Sequence, residues 1–200
     1  VDNVSVLSIV ADTFAGIVQY DSITHGIEDY CQRHIDTLDK FIDFFNEMTP
    51  NPDSGDSFLL DNASYNQPVD YKNDRAWTWQ TCNEFGWFQT AAKDKERFRS
   101  SQINVSYYER ICQKVYQGYD QLPTFTDINV RYGLTSPKTT NVIYVNGNTD
   151  PWSIVSLNDD DVLNQLQQYS YHIEGGSHCS ELSITASGTE TIQLATIRRE

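Results

Sequence analysis

Long apolar runs and clustered basic residues are both missing from this 200-residue chain. No window approaches the roughly 18 uninterrupted apolar residues that a membrane-spanning helix needs. Lysine and arginine number 14 against 28 aspartate and glutamate, which gives a formal net charge of -14, whereas a phosphate-binding surface needs clustered cations. The sequence therefore predicts neither a membrane nor a nucleic-acid partner. With 38% hydrophobic and 12% aromatic residues, it still has enough apolar side chains to form a folded core.

Cysteine and histidine are also sparse, with four of each. Neither Cys-x-x-Cys nor His-x-x-x-His spacing occurs, and no glycine-rich phosphate loop is present. The sequence therefore predicts no metal and no cofactor. The four cysteines, Cys31, Cys82, Cys112 and Cys179, allow three complete disulfide pairings, and their spacing does not choose among them.

Apolar residues recur at helical spacing in three stretches of the first 120 residues. Steps of three and four over residues 27–48 predict one long amphipathic helix. A polar loop rich in proline and glycine is expected to follow over residues 49–75. Further helices are predicted over residues 82–99 and 105–119, and residues 121–140 have the composition of turns.

The pattern changes near residue 141, where a short β-branched apolar run over residues 141–145 predicts a buried strand. Residues 159–168 predict a helix with acidic residues in its first turn, where the helix dipole favours them. Residues 169–173 predict a second strand. Strand, helix and strand within 40 residues indicate a βαβ unit with parallel strands.

Asp150 and His178 follow the two predicted strands directly and are the candidate catalytic residues. A nucleophilic serine needs a histidine base and an acid that holds the base in its working tautomer. In α/β-hydrolases the acid and the histidine lie on loops at the carboxyl ends of strands, in the chain order serine, acid, histidine. Taken alone, the bland alternatives remain open, because an Asp after a strand often caps a turn and a lone His often lies on the surface.

Four ordered segments resemble one family of serine carboxypeptidases, the family of lysosomal Pro-X carboxypeptidase, dipeptidyl peptidase II and thymus-specific serine protease. Asn-Gly-Asn-Thr-Asp-Pro-Trp at 146–152 resembles its acid motif, and Glu-Gly-Gly-Ser-His-Cys at 174–179 resembles its histidine motif. Trp-Thr-Trp-Gln-Thr-Cys-Asn-Glu-Phe-Gly at 77–86 is similar to a segment of the family's cap. Phe-Ala-Gly-Ile-Val-Gln-Tyr at 14–20 resembles the stretch that enters its helical domain.

This resemblance implies an α/β fold, namely the C-terminal part of an α/β-hydrolase core with a mostly helical cap. It divides the chain into the end of a first hydrolase segment (1–20), the cap (21–138) and a C-terminal hydrolase segment (139–200). The implied activity is cleavage next to proline near a peptide terminus, with proline-containing peptides as substrates. Trp152 and Trp87 are expected to wall the proline pocket, because flat aromatic faces suit a rigid apolar ring; core packing is the alternative for both.

The resemblance also implies a disulfide between Cys82 and Cys112 and leaves Cys31 and Cys179 unassigned. It implies secretion or a lysosomal location. Asn-x-Ser sequons that are compatible with that location are found at three positions, Asn3, Asn62 and Asn104, although this number is close to chance. A homodimer is left open.

The family's Gly-x-Ser-x-Gly elbow does not occur in this sequence. The chain order of the triad would place the serine before residue 1, so this chain by itself is expected to lack the nucleophile and to be inactive. Three hypotheses follow: part of an active proline-directed serine peptidase, an inactive relative with a binding or structural role, or another α/β-hydrolase such as an esterase. Carboxypeptidase and dipeptidyl peptidase activities both remain open.

Overall fold

In the computed structural model, the residues that are described form mainly helices and a two-stranded parallel sheet. The structure describes residues 3–48, 72–93, 98–116, 126–158 and 166–182. No helix in these ranges is long and apolar enough to cross a membrane. The α-helices are α1 (Asn3–Gln19), α2 (Asp21–Thr24), α3 (Gly26–Gln32), α4 (Leu38–Met48), α5 (Lys72–Gln80), α6 (Val105–Val115) and α7 (Thr126–Tyr132). The strands are β1 (Val142–Gly147) and β2 (Gln168–Ile173).

The chain divides into two compact units. Unit 1 contains Val1–Phe14 and Asp36–Arg131, and unit 2 contains Ala15–Ile35 and Tyr132–Glu200. Each unit is therefore built from two separate stretches of chain.

A disulfide between Cys82 and Cys112 lies in the core of unit 1. Both residues are buried, and Val115 and Tyr116 are buried with them. Cys82 lies in a π-helical turn, Thr81–Phe85, that continues α5, so the bond joins this helical segment to α6. The structure thus contains the pairing that the family resemblance implied.

An ion pair between Asp12 and Arg99 links α1 to a distant loop within unit 1. One guanidinium nitrogen of Arg99 lies 2.6 Å from a carboxylate oxygen of Asp12, and the other donates to the side chain of Gln89. The Tyr108 hydroxyl donates to the backbone carbonyl of Gln89, and burial raises the pKa of this phenol. These polar contacts bring residues 87 positions apart into one network.

The single helix predicted over residues 27–48 is wrong, because the chain forms α3 and α4 with a break between them. His34 adopts a left-handed backbone with φ of 47°, which ends a right-handed helix. The Thr37 hydroxyl then accepts a hydrogen bond from the Lys40 backbone N–H, as an N-cap side chain does. The buried residue of α4 is Phe44, which packs against the Phe14 ring. The predicted apolar stripe instead includes Phe41, Ile42 and Phe45.

The helix predicted over residues 82–99 is also wrong, because the observed helical segment lies before most of that range. α5 and its π-helical turn end at Phe85. Gly86 and Trp87 then take φ values of 74° and 59°, which a right-handed helix excludes. The loop predicted up to residue 75 is wrong for residues 72–75, which belong to α5, and its remainder lies outside the described residues.

α6 confirms most of the helix predicted over residues 105–119, whose last three residues lie outside the described ranges. Asn104 caps it by accepting a hydrogen bond from the Tyr107 backbone N–H. The apolar repeat that predicts this helix includes Val105 and Tyr108, but Tyr107 is buried whereas Val105 is half exposed. α7 was not predicted, since turn-forming residues on both sides concealed its seven residues.

The two predicted strands are confirmed in unit 2, and they pair in parallel, with Val142 opposite Gln168 and Gly147 opposite Ile173. Most of the helix predicted between them (159–165) lies outside the described residues, and its predicted last residue, Gln168, belongs to β2. The buried Gln168 amide donates to the carbonyls of Pro137 and Thr139. This pairing satisfies a polar side chain that would otherwise destabilise the interior.

Candidate active site

The candidate site is formed by two loops that leave the same edge of the sheet. Parallel pairing puts the last residues of β1 and β2, Gly147 and Ile173, side by side. The loops after them carry Asp150 and His178. Ligand sites of open α/β sheets lie at the carboxyl ends of the strands, and both predicted residues are at this end.

Hydrogen bonds fasten the two loops to each other. The Asn148 side chain accepts from the backbone N–H of Gly175 at 2.7 Å and donates to the Glu174 carboxylate at 3.0 Å. The hydroxyl and the backbone N–H of Thr149 both donate to the carbonyl of Gly176, at 2.7 and 3.0 Å. The acid-bearing loop and the histidine-bearing loop therefore form one connected structure.

Two glycines permit this close approach. A Cβ atom on Gly147 would overlap the backbone carbonyl of Gly176. Gly175 has a φ of 67°, a conformation that glycine adopts without strain. The glycines of the two motifs thus allow the loops to touch along their backbones.

Asp150 and His178 are hydrogen-bonded, with the Oδ2 atom of Asp150 2.9 Å from the Nδ1 atom of His178. Because an ionised carboxylate only accepts hydrogen bonds, this contact favours the tautomer of a neutral imidazole that donates from Nδ1 and has its lone pair on Nε2. The other carboxylate oxygen accepts from the Trp152 backbone N–H at 2.8 Å, which fixes the carboxylate plane. The Asp150 side chain is 10% exposed and that of His178 is 26% exposed, so the acid is shielded while the imidazole remains accessible.

Two aromatic rings lie next to the imidazole. The Trp152 ring centre lies 6.3 Å from that of His178, at an interplanar angle of 41°. The Tyr20 ring contacts the imidazole edge-on at 5.9 Å. Trp152 belongs to a 3-10 helix, Pro151–Val155, that Asp150 caps, so the acid positions the tryptophan through the backbone.

Gln19, the last residue of α1, contacts both sides of this arrangement. Its side-chain oxygen accepts from the Trp152 indole N–H at 2.9 Å, and its backbone carbonyl accepts from the His178 N–H at 3.0 Å. Residues 14–20 were recognised as a family motif, but neither Gln19 nor Tyr20 was predicted to belong to the site. The available signal was a family motif ending in a polar and an aromatic residue, but no local pattern showed where those side chains would point.

Cys179 follows His178 directly. Neither Cys179 nor the exposed Cys31 is disulfide-bonded. The Cys179 backbone is left-handed, with φ of 55°. Burial raises the pKa of its thiol, and the carboxylates of Glu181 and Asp150 raise it further. The thiol therefore stays protonated to higher pH than an ordinary cysteine, which disfavours a role as nucleophile.

The remaining predicted residues are dispersed. Trp87 lies in unit 1, is 47% exposed and meets the Phe85 ring at 6.2 Å. Asn104 is exposed at the start of α6, and Asn3 is exposed as the first residue of α1. Asn62 lies outside the described residues. In the part of the chain that the structure describes, no group of three or more His, Cys, Asp or Glu side chains could hold a metal ion.

Comparison with known proteins places the chain in a family. The family model for serine carboxypeptidase S28 matches residues 1–200. This chain belongs to that family, as the four motifs predicted.

Individual relatives agree with the family match. A thymus-specific serine protease of Mus musculus is 32% identical over 113 residues, covering 55% of this chain and 21% of the relative. A probable serine protease of Arabidopsis thaliana is 31% identical over 108 residues, covering 54% and 21%. A probable extracellular serine carboxypeptidase of Arthroderma benhamiae is 33% identical over 95 residues, covering 46% and 13%. The chain thus spans about a fifth of the first two relatives, and no solved structure matches it.

Proposed function

We propose that this chain supplies the general base, His178, and its orienting acid, Asp150, to a serine-type peptidase. The observation that carries the proposal is the 2.9 Å hydrogen bond between Asp150 Oδ2 and His178 Nδ1, at the carboxyl ends of two parallel strands. The serine belongs outside this sequence, since the chain order in α/β-hydrolases is serine, acid, histidine. The same parallel pair supports an α/β-hydrolase core, for which we propose a last segment at 139–200. We also propose a cap over 21–138, which is supported by α4, α5 and α6 in unit 1.

The Asp150–His178 contact suits the following proposed sequence of proton transfers. As the serine oxygen bonds to the carbonyl carbon of the substrate, Nε2 of His178 takes the hydroxyl proton, and Asp150 stabilises the imidazolium without taking the proton itself. His178 then gives that proton to the departing amine as the peptide bond breaks. A water molecule next loses a proton to His178 and attacks the acyl-enzyme, and the serine regains a proton as the acid product leaves.

The proposed substrates are peptides with proline beside the cleaved bond, trimmed from one terminus. Trp152 supports this choice, because its ring lies next to the imidazole and an aromatic face can pack on a pyrrolidine ring. For Trp87, the role in substrate binding remains an implication of the family resemblance.

We also propose that the protein is secreted or lysosomal. A disulfide in the core of unit 1 is typical of oxidising compartments, and one relative is named as extracellular. The sequon residue Asn104 is exposed just before α6, which makes it accessible to modification. Occupancy of Asn104 by N-linked glycan is thus part of the same proposal.

The experiment is labelling of the full-length protein with a fluorophosphonate probe, which reacts with activated serines. Wild-type protein is expected to label and to cleave prolyl peptides. His178→Ala should lower both rates by about 10⁴-fold or more. His172→Ala is the matched control, because His172 is exposed on β2 and its removal should leave both rates within about twofold.

The competing hypothesis is an inactive relative that acts as a binding protein. It predicts a full-length protein that is folded, as judged by a cooperative thermal transition, but does not label at all. Cleavage of esters but not of prolyl peptides would instead identify another kind of hydrolase. Either result would reject the proposed function.

A further inference from the structure

Gln19 makes two hydrogen bonds that join residues from three separate parts of unit 2. Its side-chain oxygen lies 2.9 Å from the indole nitrogen of Trp152, which is 133 positions later in the chain. Its backbone oxygen lies 3.0 Å from the backbone nitrogen of His178. One residue at the end of α1 thus holds both the tryptophan and the histidine loop.

The end of a helix suits this double role. The last carbonyl groups of an α-helix have no partner within the helix, so the Gln19 carbonyl is available to accept from His178. The long side chain of Gln19 is partly buried, and its amide oxygen is the acceptor for an indole N–H that is partly buried with it. A tryptophan N–H in such surroundings is costly to leave without a partner.

Tyr20, the next residue, strengthens the same arrangement. Its ring lies edge-on to the imidazole of His178 at 5.9 Å, while Trp152 approaches the imidazole at 6.3 Å. The base is therefore held by backbone contact with Gln19, by ring contact with Tyr20 and by the carboxylate of Asp150.

We infer that Gln19 is a positioning residue that holds the indole of Trp152 in register with the imidazole of His178, and so couples the substrate-binding wall to the base. This inference rests on the proposed peptidase function. Since both bonds come from one residue, a displacement of the end of α1 would shift the wall and the base together. A substrate packed against Trp152 is then presented to His178 at a constant distance, and misplacement by about 1 Å can cost two orders of magnitude in rate.

The test replaces Gln19 by methionine, which has a similar volume but no acceptor oxygen for the indole. Kinetic constants for prolyl peptides are measured on the full-length enzyme and divided by the number of sites that the fluorophosphonate probe labels. Gln19→Met should lower kcat/KM about tenfold, mostly through KM, because the backbone bond to His178 and the Asp150 contact persist. Gln19→Glu, which keeps an acceptor oxygen, should recover kcat/KM to within about threefold of wild type.

Two controls distinguish positioning from folding. Gln32→Met removes a glutamine that is exposed on α3 and bonded to Glu28, and it should leave kcat/KM within about twofold. In a Trp152→Phe background, which has no indole N–H, Gln19→Met should cost less than about twofold, because the interaction it removes is already gone. If Gln19→Met does not fold, Gln19→Asn replaces it as the test variant, because its shorter side chain does not reach the indole.

The outcomes are separable from those for the proposed function. If wild-type enzyme labels and cleaves prolyl peptides, and His178→Ala does neither, the peptidase proposal stands. Within that result, a Gln19→Met enzyme with wild-type KM and kcat per labelled site would overturn the positioning role. An equal cost of Gln19→Met in the wild-type and Trp152→Phe backgrounds would overturn it as well.

Discussion

Gly147 and Gly176 lie in backbone contact, so that a Cβ atom on Gly147 would overlap the Gly176 carbonyl. This contact joins the end of β1 to the loop that carries His178. The Gly176 carbonyl also accepts two hydrogen bonds from Thr149, so the loop cannot retreat without losing them. The distance between Asp150 and His178 thus depends on a residue that has no side chain.

Gly147→Ala is expected to be destabilising because the added methyl group meets backbone rather than a flexible side chain. The free energy of unfolding should fall by about 1–3 kcal/mol, measured by urea denaturation. Labelling by a fluorophosphonate should fall with it, because the histidine loop must move. Gly16→Ala is the matched control, because nothing lies within 4 Å of its added Cβ. Alanine within helix α1 should raise the free energy of unfolding by about 0.5–1 kcal/mol. A Gly147→Ala protein as stable as wild type would contradict this account.

Asp150→Asn tests the orientation of the imidazole. An amide can present its NH₂ group to Nδ1, which favours the tautomer with the proton on Nε2 and removes the base. We expect kcat/KM for prolyl peptides to fall by about 10⁴-fold. Asp29→Asn, at an exposed carboxylate paired with Arg33, should change kcat/KM by less than about twofold. A loss under tenfold for Asp150→Asn would show that this carboxylate does not orient the base.

Replacing both Cys82 and Cys112 by serine tests the core of unit 1. The bond closes a loop between residues 30 positions apart, and for loops of this size the stabilisation is about 3–4 kcal/mol. Urea denaturation should therefore show a loss of this order, and wild type in reducing agent should approach the variant. Cys31→Ser, at an exposed free thiol, should leave the free energy of unfolding within about 0.5 kcal/mol. Equal stabilities of the double variant and Cys31→Ser would refute the prediction.

Tyr116→Phe tests alkaline stability in the same core. Burial raises the pKa of Tyr116 to about 12, partly offset by the nearby Arg75 guanidinium, and its hydroxyl donates to the Arg75 backbone carbonyl at 2.6 Å. In the unfolded chain the phenol ionises near pH 10, so its contribution to stability is complete below pH 10 and is lost between pH 10 and 12. Wild type should therefore exceed Tyr116→Phe in stability at pH 8, and the difference should shrink at pH 11. A difference that stays constant or grows over this range would be the contrary result.

Local sequence patterns predicted the two strands, and together with the family resemblance they predicted the two candidate residues. The β-branched run over residues 141–145 and the stretch over residues 169–173 predicted the two strands. Chain order then put Asp150 and His178 at the same edge, since strand, crossover and strand pair in parallel. The family match is consistent with the same motifs.

Helix boundaries were less predictable. Nothing between Arg33 and Thr37 is a glycine or a proline, so the apolar spacing on either side read as one continuous helix. The left-handed backbone of His34 costs about 1–2 kcal/mol, which is small enough for tertiary contacts to override a local helical pattern. Local periodicity carries no information on such a break.

The sequence by itself determined the family and the two strands and predicted Asp150 and His178 as candidates, because each motif and each strand is formed by residues close together in the chain. The tertiary structure decided that Gln19 and Tyr20 reach the histidine and that Asn148 ties the two loops together. These contacts join residues 26 to 159 positions apart in the chain. Their geometry depends on where a helix ends and how two loops meet, which no local pattern of residues specifies.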